Sequence, residues 1–125
     1  MFYRQLIKPI LFSFDPEKVH DWATGLGEKL GNFSPTYALI DWLYGYHSKE
    51  AEVTVDGLRY HTPIILSAGF DYNAHLTNIL PALSFGGVEV GSITARPCAG
   101  NPLPRLTRLP QIKSILVNKG LRNDG

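Results

Sequence analysis

Cysteine is almost missing: Cys98 stands alone, so no internal disulfide can form, and without a C-x-x-C pair it announces no thiolate metal site. A reducing compartment fits that usage. Long apolar runs are missing too, since none approaches the ~20 residues that span a bilayer. The N-terminus has no cleavable signal pattern, because Asp15, Glu17 and Lys18 follow the first hydrophobic stretch too closely. A charge of one sign is also lacking: 12 Lys and Arg face 11 Asp and Glu, a net charge of +1, with no basic run that could follow a phosphate backbone. Nucleic acid is therefore not the expected partner. No G-x-G-x-x-G is present to suggest a Rossmann site, and no internal repeat or low-complexity segment appears. What remains is globular composition, 125 residues of which 44% are hydrophobic and 18% charged, enough for one ordinary domain.

Two halves of different character follow one another. Residues 1–48 read as short helices. Phe2, Leu6 and Ile10 recur at four-residue spacing with Tyr3, Ile7 and Leu11 beside them, while Arg4 and Lys8 lie on another side. This amphipathic segment should be short or bent at Pro9, which removes a backbone donor. In "FDPEKVHDW", Asp15 can cap, Pro16 suits the first helical position and Glu17 favours the positive end of the dipole. A helix with Val19, Trp22, Ala23, Leu26 and Leu30 on its apolar side should follow. Ser34 and Pro35 repeat the device for a third, shorter helix carrying Leu39, Ile40, Leu43 and Tyr44.

From Glu50 the period becomes that of strands. Val53, Val55, Leu58 and Tyr60 alternate about Asp56-Gly57, the signal for a tight hairpin. The run from Pro63 to Leu66 reads as a buried parallel strand, Ala74 to Leu83 as a helix whose end Pro81 obscures, and "GGVEVGSIT" as a second buried strand. Both strands finish in small residues, Ser67-Ala68-Gly69 and Gly91-Ser92. In α/β folds the ligand sits beyond the carboxyl ends of the strands, where bare backbone lets a flat or phosphorylated ligand approach. Spacing alone leaves open whether these residues form such a floor or only a tight turn.

The segments "FDPEKVHDW", "SAGFDYNA", "VEVGSITARPCAGNPLPRLTRLP" and "LVNKGLRNDG", in this order behind an amphipathic N-terminus, resemble the membrane-associated, quinone-dependent class of dihydroorotate dehydrogenases. The resemblance implies an α/β fold in which residues 1–48 are a helical membrane-associating region and residues 49–125 are the hairpin and first strands of an FMN-binding (β/α)8 TIM barrel. It implies FMN-dependent oxidation of dihydroorotate to orotate in pyrimidine synthesis, with electrons passed to a membrane quinone. Ala68, Gly69 and Ser92 match positions that meet FMN. Tyr72 stands where the family has a lysine that reaches both flavin and substrate. His20 and Arg108 match residues of the quinone tunnel, and Asn118 opens the orotate-binding loop, with Lys119, Gly120 and Leu121 behind it.

Two departures mark the pattern. Tyr72 replaces a mobile cation with a neutral phenol, and "NKGLRN" is one residue shorter before its glycine than the family's N-R-x-G-F-N; Lys119 or Arg122 is expected to replace the missing charge. A complete barrel typically needs ~250 residues, so the chain is expected to be the N-terminal part of a longer enzyme, or a truncated frame. The family's catalytic base is a serine further along, so no catalytic residue is assigned here, and Cys98 lies outside any base-carrying loop. Peripheral attachment through the first helix, on the cytoplasmic side of a bacterial inner membrane, completes the expectation. The alternatives are an FMN barrel with another substrate and an inactive truncated product that binds a membrane or partner.

Overall fold

A computed structural model describes residues 2–125. The first helical segment begins as a π-helical turn, Tyr3–Ile7, and continues as α1 (Lys8–Phe12). The Lys8 N–H reaches back five residues to the Tyr3 carbonyl. This wider winding lies immediately before Pro9, whose ring would crowd a regular turn and which has no N–H of its own.

Helix α2 (Pro16–Asn32) starts as its sequence prescribes: the Asp15 Oδ1 accepts the Glu17 and Lys18 N–H groups, each at 3.0 Å. Helix α3 spans Ser34–Tyr44, but Ser34 does not cap it. Phe33 is the flanking residue, and the Thr36 hydroxyl instead donates to the carbonyls of Leu30 and Phe33, at 2.6 and 2.8 Å, fixing the bend between the two helices. Strands β1 (Val53–Val55) and β2 (Leu58–Tyr60) pair antiparallel, and Asp56 and Gly57, at φ +50° and +79°, form the two-residue turn with both central residues left-handed.

Strands β3 (Ile65–Leu66) and β4 (Gly87–Val88) pair parallel, with Ile65 opposite Gly87 and Leu66 opposite Val88. The parallel pairing follows expectation; the burial does not. Ile64 and Ile65 are 57% and 53% exposed, because parallel strands lose their faces only under cover from helices and further strands, and β3 and β4 are each other's sole sheet neighbours among the described residues. The expected helix over 74–83 is a chain of turns ending in a 3-10 turn, Pro81–Leu83. Ala74 is left-handed at φ +63°, and Pro81 has no N–H to give. The sequence patterns did not mark a further antiparallel pair, β5 (Leu106–Leu109) and β6 (Ser114–Val117), joined through a 3-10 turn with Lys113 left-handed at φ +52°.

Contacts sort the chain into two compact units, residues 1–23 with 94–125, and residues 24–93. The core of the second unit is Leu76, Ile79, Leu80 and Ala82, covered by Leu30, Tyr37, Ile40, Leu66, Phe85 and Val88. Helix α2 reaches it through glycine: a Cβ on Gly31 would stand 2.8 Å from the Ile79 nitrogen, and one on Gly27 would meet the Leu76 side chain. Each such glycine costs a helix interior about 1 kcal/mol, and here that cost is offset by close packing on the core. Among the described residues no helix is long and apolar enough to cross a membrane.

Candidate functional site

Within residues 24–93 the parallel register brings Ser67-Ala68-Gly69 and Gly91-Ser92 to the same end of the β3–β4 pair. The Glu89 N–H donates to the Leu66 carbonyl at 2.8 Å and the Gly91 N–H to the Asp71 carbonyl at 3.0 Å, so the two strand ends are tied together. Ser67, Ala68, Gly69 and Ser92 are exposed, and none of them donates or accepts a hydrogen bond among the described residues. Gly69 has φ +97°, and a Cβ there would meet nothing within 4 Å. Bare, unbonded peptide groups and a free hydroxyl suit a flat, phosphorylated ligand such as a flavin mononucleotide, so the donor set present fits that group.

Asp71 anchors this floor. It is 1% exposed, and its carboxylate accepts the backbone N–H of His75 at 2.9 Å and of Leu76 at 2.8 Å. The aspartate thereby caps the turns leading into the core. Tyr72 follows, half-buried, and Gly91 lies so near that an added Cβ would be 3.0 Å from the Tyr72 Cα. Ala68, Gly69, Tyr72 and Ser92 thus belong to one end of one small sheet.

The other sequence-assigned residues lie in the unit formed by 1–23 and 94–125, around an acid pair that sequence reasoning missed. Glu17, buried to 7% exposure, accepts the Arg105 Nε at 2.8 and 3.0 Å and an Arg122 Nη1 at 2.9 Å, with the Lys119 ammonium 3.8 Å away. Asp21 accepts both Arg122 terminal nitrogens at 3.0 Å, and His20 Nδ1 stands 3.4 Å from its Oδ1. Burial pulls the Lys119 ammonium below its ordinary value, against the attraction of Glu17 and Asp21 and with help from the Arg122 and Arg105 charges. Burial pushes Asp21 up, but hydrogen bonds from Arg122 and His20 and the charges of Arg122 and Lys119 outweigh it, leaving the carboxyl below its usual range. No sequence signal marks Glu17 beyond its place in a helix's first turn.

The Asn118 loop is pinned from two sides. Asn101 Nδ2 donates to the Asn118 Oδ1 at 2.9 Å and to its carbonyl at 3.1 Å. Asn123, 2% exposed, pairs with Cys98 across an isolated antiparallel bridge, and its Oδ1 accepts from the Thr94 N–H, the Thr94 hydroxyl and the Gly125 N–H. Gly120 has φ +66° beside the Asn101 amide, and Leu121 is 55% exposed.

An apolar cavity of about 320 Å³ is lined by Leu11, Phe14, Lys18, Val19 and Trp22. Neither His20 nor Arg108 is among its lining residues. Arg108 donates to the Phe14 carbonyl at 2.9 Å and stacks its guanidinium 4.5 Å from the Phe12 ring centre, so it braces the segment that carries the cavity wall. Among the described residues no group of three His, Cys, Asp or Glu side chains could hold a metal ion.

Comparison with known proteins gives consistent results. The family model described as dihydroorotate dehydrogenase matches residues 50–125. The dihydroorotate dehydrogenase (quinone) of Acidithiobacillus ferrooxidans is 36% identical over 96% of this chain and 33% of its own length. That of Methylococcus capsulatus is 38% identical over the whole chain and 35% of its own length. The crystal structure of DHODH from Eimeria tenella in complex with ferulenol superposes with a TM-score of 0.60 at 35% identity, over 75% of this chain and 27% of that one. The chain spans about a third of the length of the curated relatives it matches.

Proposed function

The chain belongs to the dihydroorotate dehydrogenase family, and from that premise we propose that it serves the FMN-dependent, quinone-linked oxidation of dihydroorotate to orotate in pyrimidine synthesis. The observation that carries this reading is the floor of exposed, unbonded backbone at the carboxyl ends of β3 and β4. Those strands and the β1–β2 hairpin are read as the opening of a (β/α)8 barrel. Residues 1–48 are assigned the membrane and quinone role and residues 49–125 the barrel; this division is by role, whereas the compact units divide by contact.

When bound, FMN supplies the centre that accepts a hydride from the substrate. The chain's own residues bind and orient. Ala68 and Gly69 offer peptide groups, Ser92 offers a hydroxyl, and Tyr72 offers a ring face and one hydroxyl in place of a cation. The loop Asn118, Lys119, Gly120, Leu121 is assigned to orotate. The positive charge of Lys119 sits beside Glu17, so it contributes to anion binding as part of a shared network. The apolar cavity walled by Phe14 and Trp22 is of a size and polarity for a quinone ring, with His20 and Arg108 as its polar neighbours in this reading.

Attachment is peripheral, on the cytoplasmic side of a bacterial inner membrane. Phe2, Leu6 and Ile10, all more than half exposed, face the lipid, with Arg4 and Lys8 at headgroup level. Removing residues 2–14 from the full protein should abolish vesicle binding and quinone turnover while flavin reduction by dihydroorotate continues. Equal loss of both half-reactions would reject the assignment. Tyr72 favours one second reading, an FMN barrel acting on another substrate, which a substrate screen separates from the first.

A further inference from the structure

Arg122 is expected from its place in the sequence to supply the positive charge that Tyr72 does not, but its guanidinium is turned toward α2. Its Nη1 donates to the Glu17 Oε1 at 2.9 Å and to the Asp21 Oδ1 at 3.0 Å, and its Nη2 donates to the Asp21 Oδ2 at 3.0 Å. The two bonds to Asp21 are the paired fork that a guanidinium makes with a carboxylate, and a fork fixes direction as well as distance. Glu17 and Asp21 stand four residues apart on α2, so one helix face presents both acids together. That spacing makes a preset receptor for one planar cation.

The surrounding loop shows what such a hold governs. Asn118 is fixed by Asn101 at one end, and Asn123 is fixed by Thr94 and Cys98 at the other. Between these anchors Gly120 is left-handed at φ +66° and Leu121 is exposed. Lys119 and Arg122 flank that pair, and both reach Glu17, the lysine buried and the arginine partly so. Gly100 gives the arginine stem its room, since a Cβ there would lie 3.0 Å from the Arg122 Cβ. Arg122 therefore decides which face of the loop is turned to α2 and where Asn118 and Leu121 stand. We infer that Arg122 is a positioning residue: it latches the loop of residues 118–121 to α2 through Asp21 and Glu17, and does not itself meet the substrate. This rests on the reading of that loop as the orotate site and adds how this chain holds it in place.

Orotate binding by the full protein with FMN bound separates a latch from a direct contact by the sign of one change. Asp21→Ala loosens a latch, whereas it would release an anion-binding arginine from its competitor. The latch predicts that Asp21→Ala weakens orotate binding roughly fivefold in calorimetry, the upper range for a partly exposed ion pair, with FMN affinity unchanged. Arg122→Gln should weaken orotate binding at least as much, and the double variant no more than Arg122→Gln alone. Tighter or unchanged orotate binding by Asp21→Ala, or strictly additive losses, would overturn the latch. Amide hydrogen exchange reads the same contact without orotate: in Asp21→Ala the amides of residues 119–122 should exchange roughly fivefold faster while those of β5 and β6 keep their rates. Equal acceleration throughout would reduce the contact to general stability and overturn the positioning role. If the wild-type protein binds no orotate, the substrate reading fails, and the exchange rates still decide whether Arg122 holds the loop.

Discussion

Arg105 and Glu17 are 88 residues apart in the chain, yet the guanidinium Nε lies 2.8 and 3.0 Å from the two carboxylate oxygens. Both side chains are nearly buried, and Arg105 also gives its Nη1 to the carbonyls of Ala99 and Asn101. Removing one partner leaves the others buried and uncompensated, the case in which a buried ion pair is most costly to break. Glu17→Gln should lower unfolding stability by about 3 kcal/mol, read by urea denaturation. Combining it with Arg105→Gln should cost less than the sum of the single changes; strict additivity would show that the pair is not coupled.

Asp71 supports a second prediction. Its carboxylate satisfies two backbone N–H groups at the edge of the core. Asp71→Ala strands both donors and should cost about 2 to 3 kcal/mol. Asp71→Asn retains one acceptor oxygen and should cost clearly less. Identical losses would mean that the site needs only the charge.

Gly91 and Tyr72 give a third. A side chain at Gly91 would press on the Tyr72 Cα from 3.0 Å and on its carbonyl oxygen from 3.3 Å. Gly91→Val should therefore displace Tyr72 and weaken FMN binding about tenfold, an energy of about 1.4 kcal/mol, in a flavin fluorescence titration. Tyr72→Phe, which keeps the ring in place, should change it little. If Gly91→Val binds FMN normally, the floor of β3 and β4 is not where the cofactor lies.

The pH response follows from Asp21 and Lys119. Asp21 has a lowered folded pKa, so its contribution is present above the ordinary carboxylate value of 3.8 and is lost as pH falls through the lower folded value. Lys119 has a folded pKa below 10.5, the reverse of a simple salt-bridged lysine. In the window between that folded value and 10.5 the unfolded chain binds more protons, so stability gains from this group as pH rises. Lys119→Met should remove this alkaline gain, while Asp21→Asn should flatten the acid limb; unfolding midpoints across pH read both.

Much of the local structure was legible because its cause lies within a few residues. Asp15 caps the helix that begins beside it, and Asp56-Gly57 closes the hairpin that flanks it. The segment 74–83 was misread for the opposite reason. Its apolar spacing is helical, but Asp71 accepts the N–H groups of His75 and Leu76, Ala74 turns left-handed, and Pro81 interrupts the donors. The β5–β6 pair escaped notice because its turn is made by Pro110 and a left-handed Lys113, with neither glycine nor asparagine to signal it. At the site, the small residues after β3 and β4 were visible as composition. Glu17 was not, since its partners lie 88 and 105 residues away and no local pattern encodes a long-range ion pair.

One of the two compact units is built from both ends of the sequence, residues 1–23 and 94–125, with the other unit made entirely from the stretch between. On a ribosome adding about 5 to 20 residues per second, the first helix emerges several seconds before Arg105 and Arg122 exist to meet Glu17. During that interval Phe2, Leu6 and Ile10 have no later segment to contact. In the peripheral-attachment reading proposed above, a bilayer is then the first large apolar surface they meet, before the segment that carries Arg105 and Arg122 has been made.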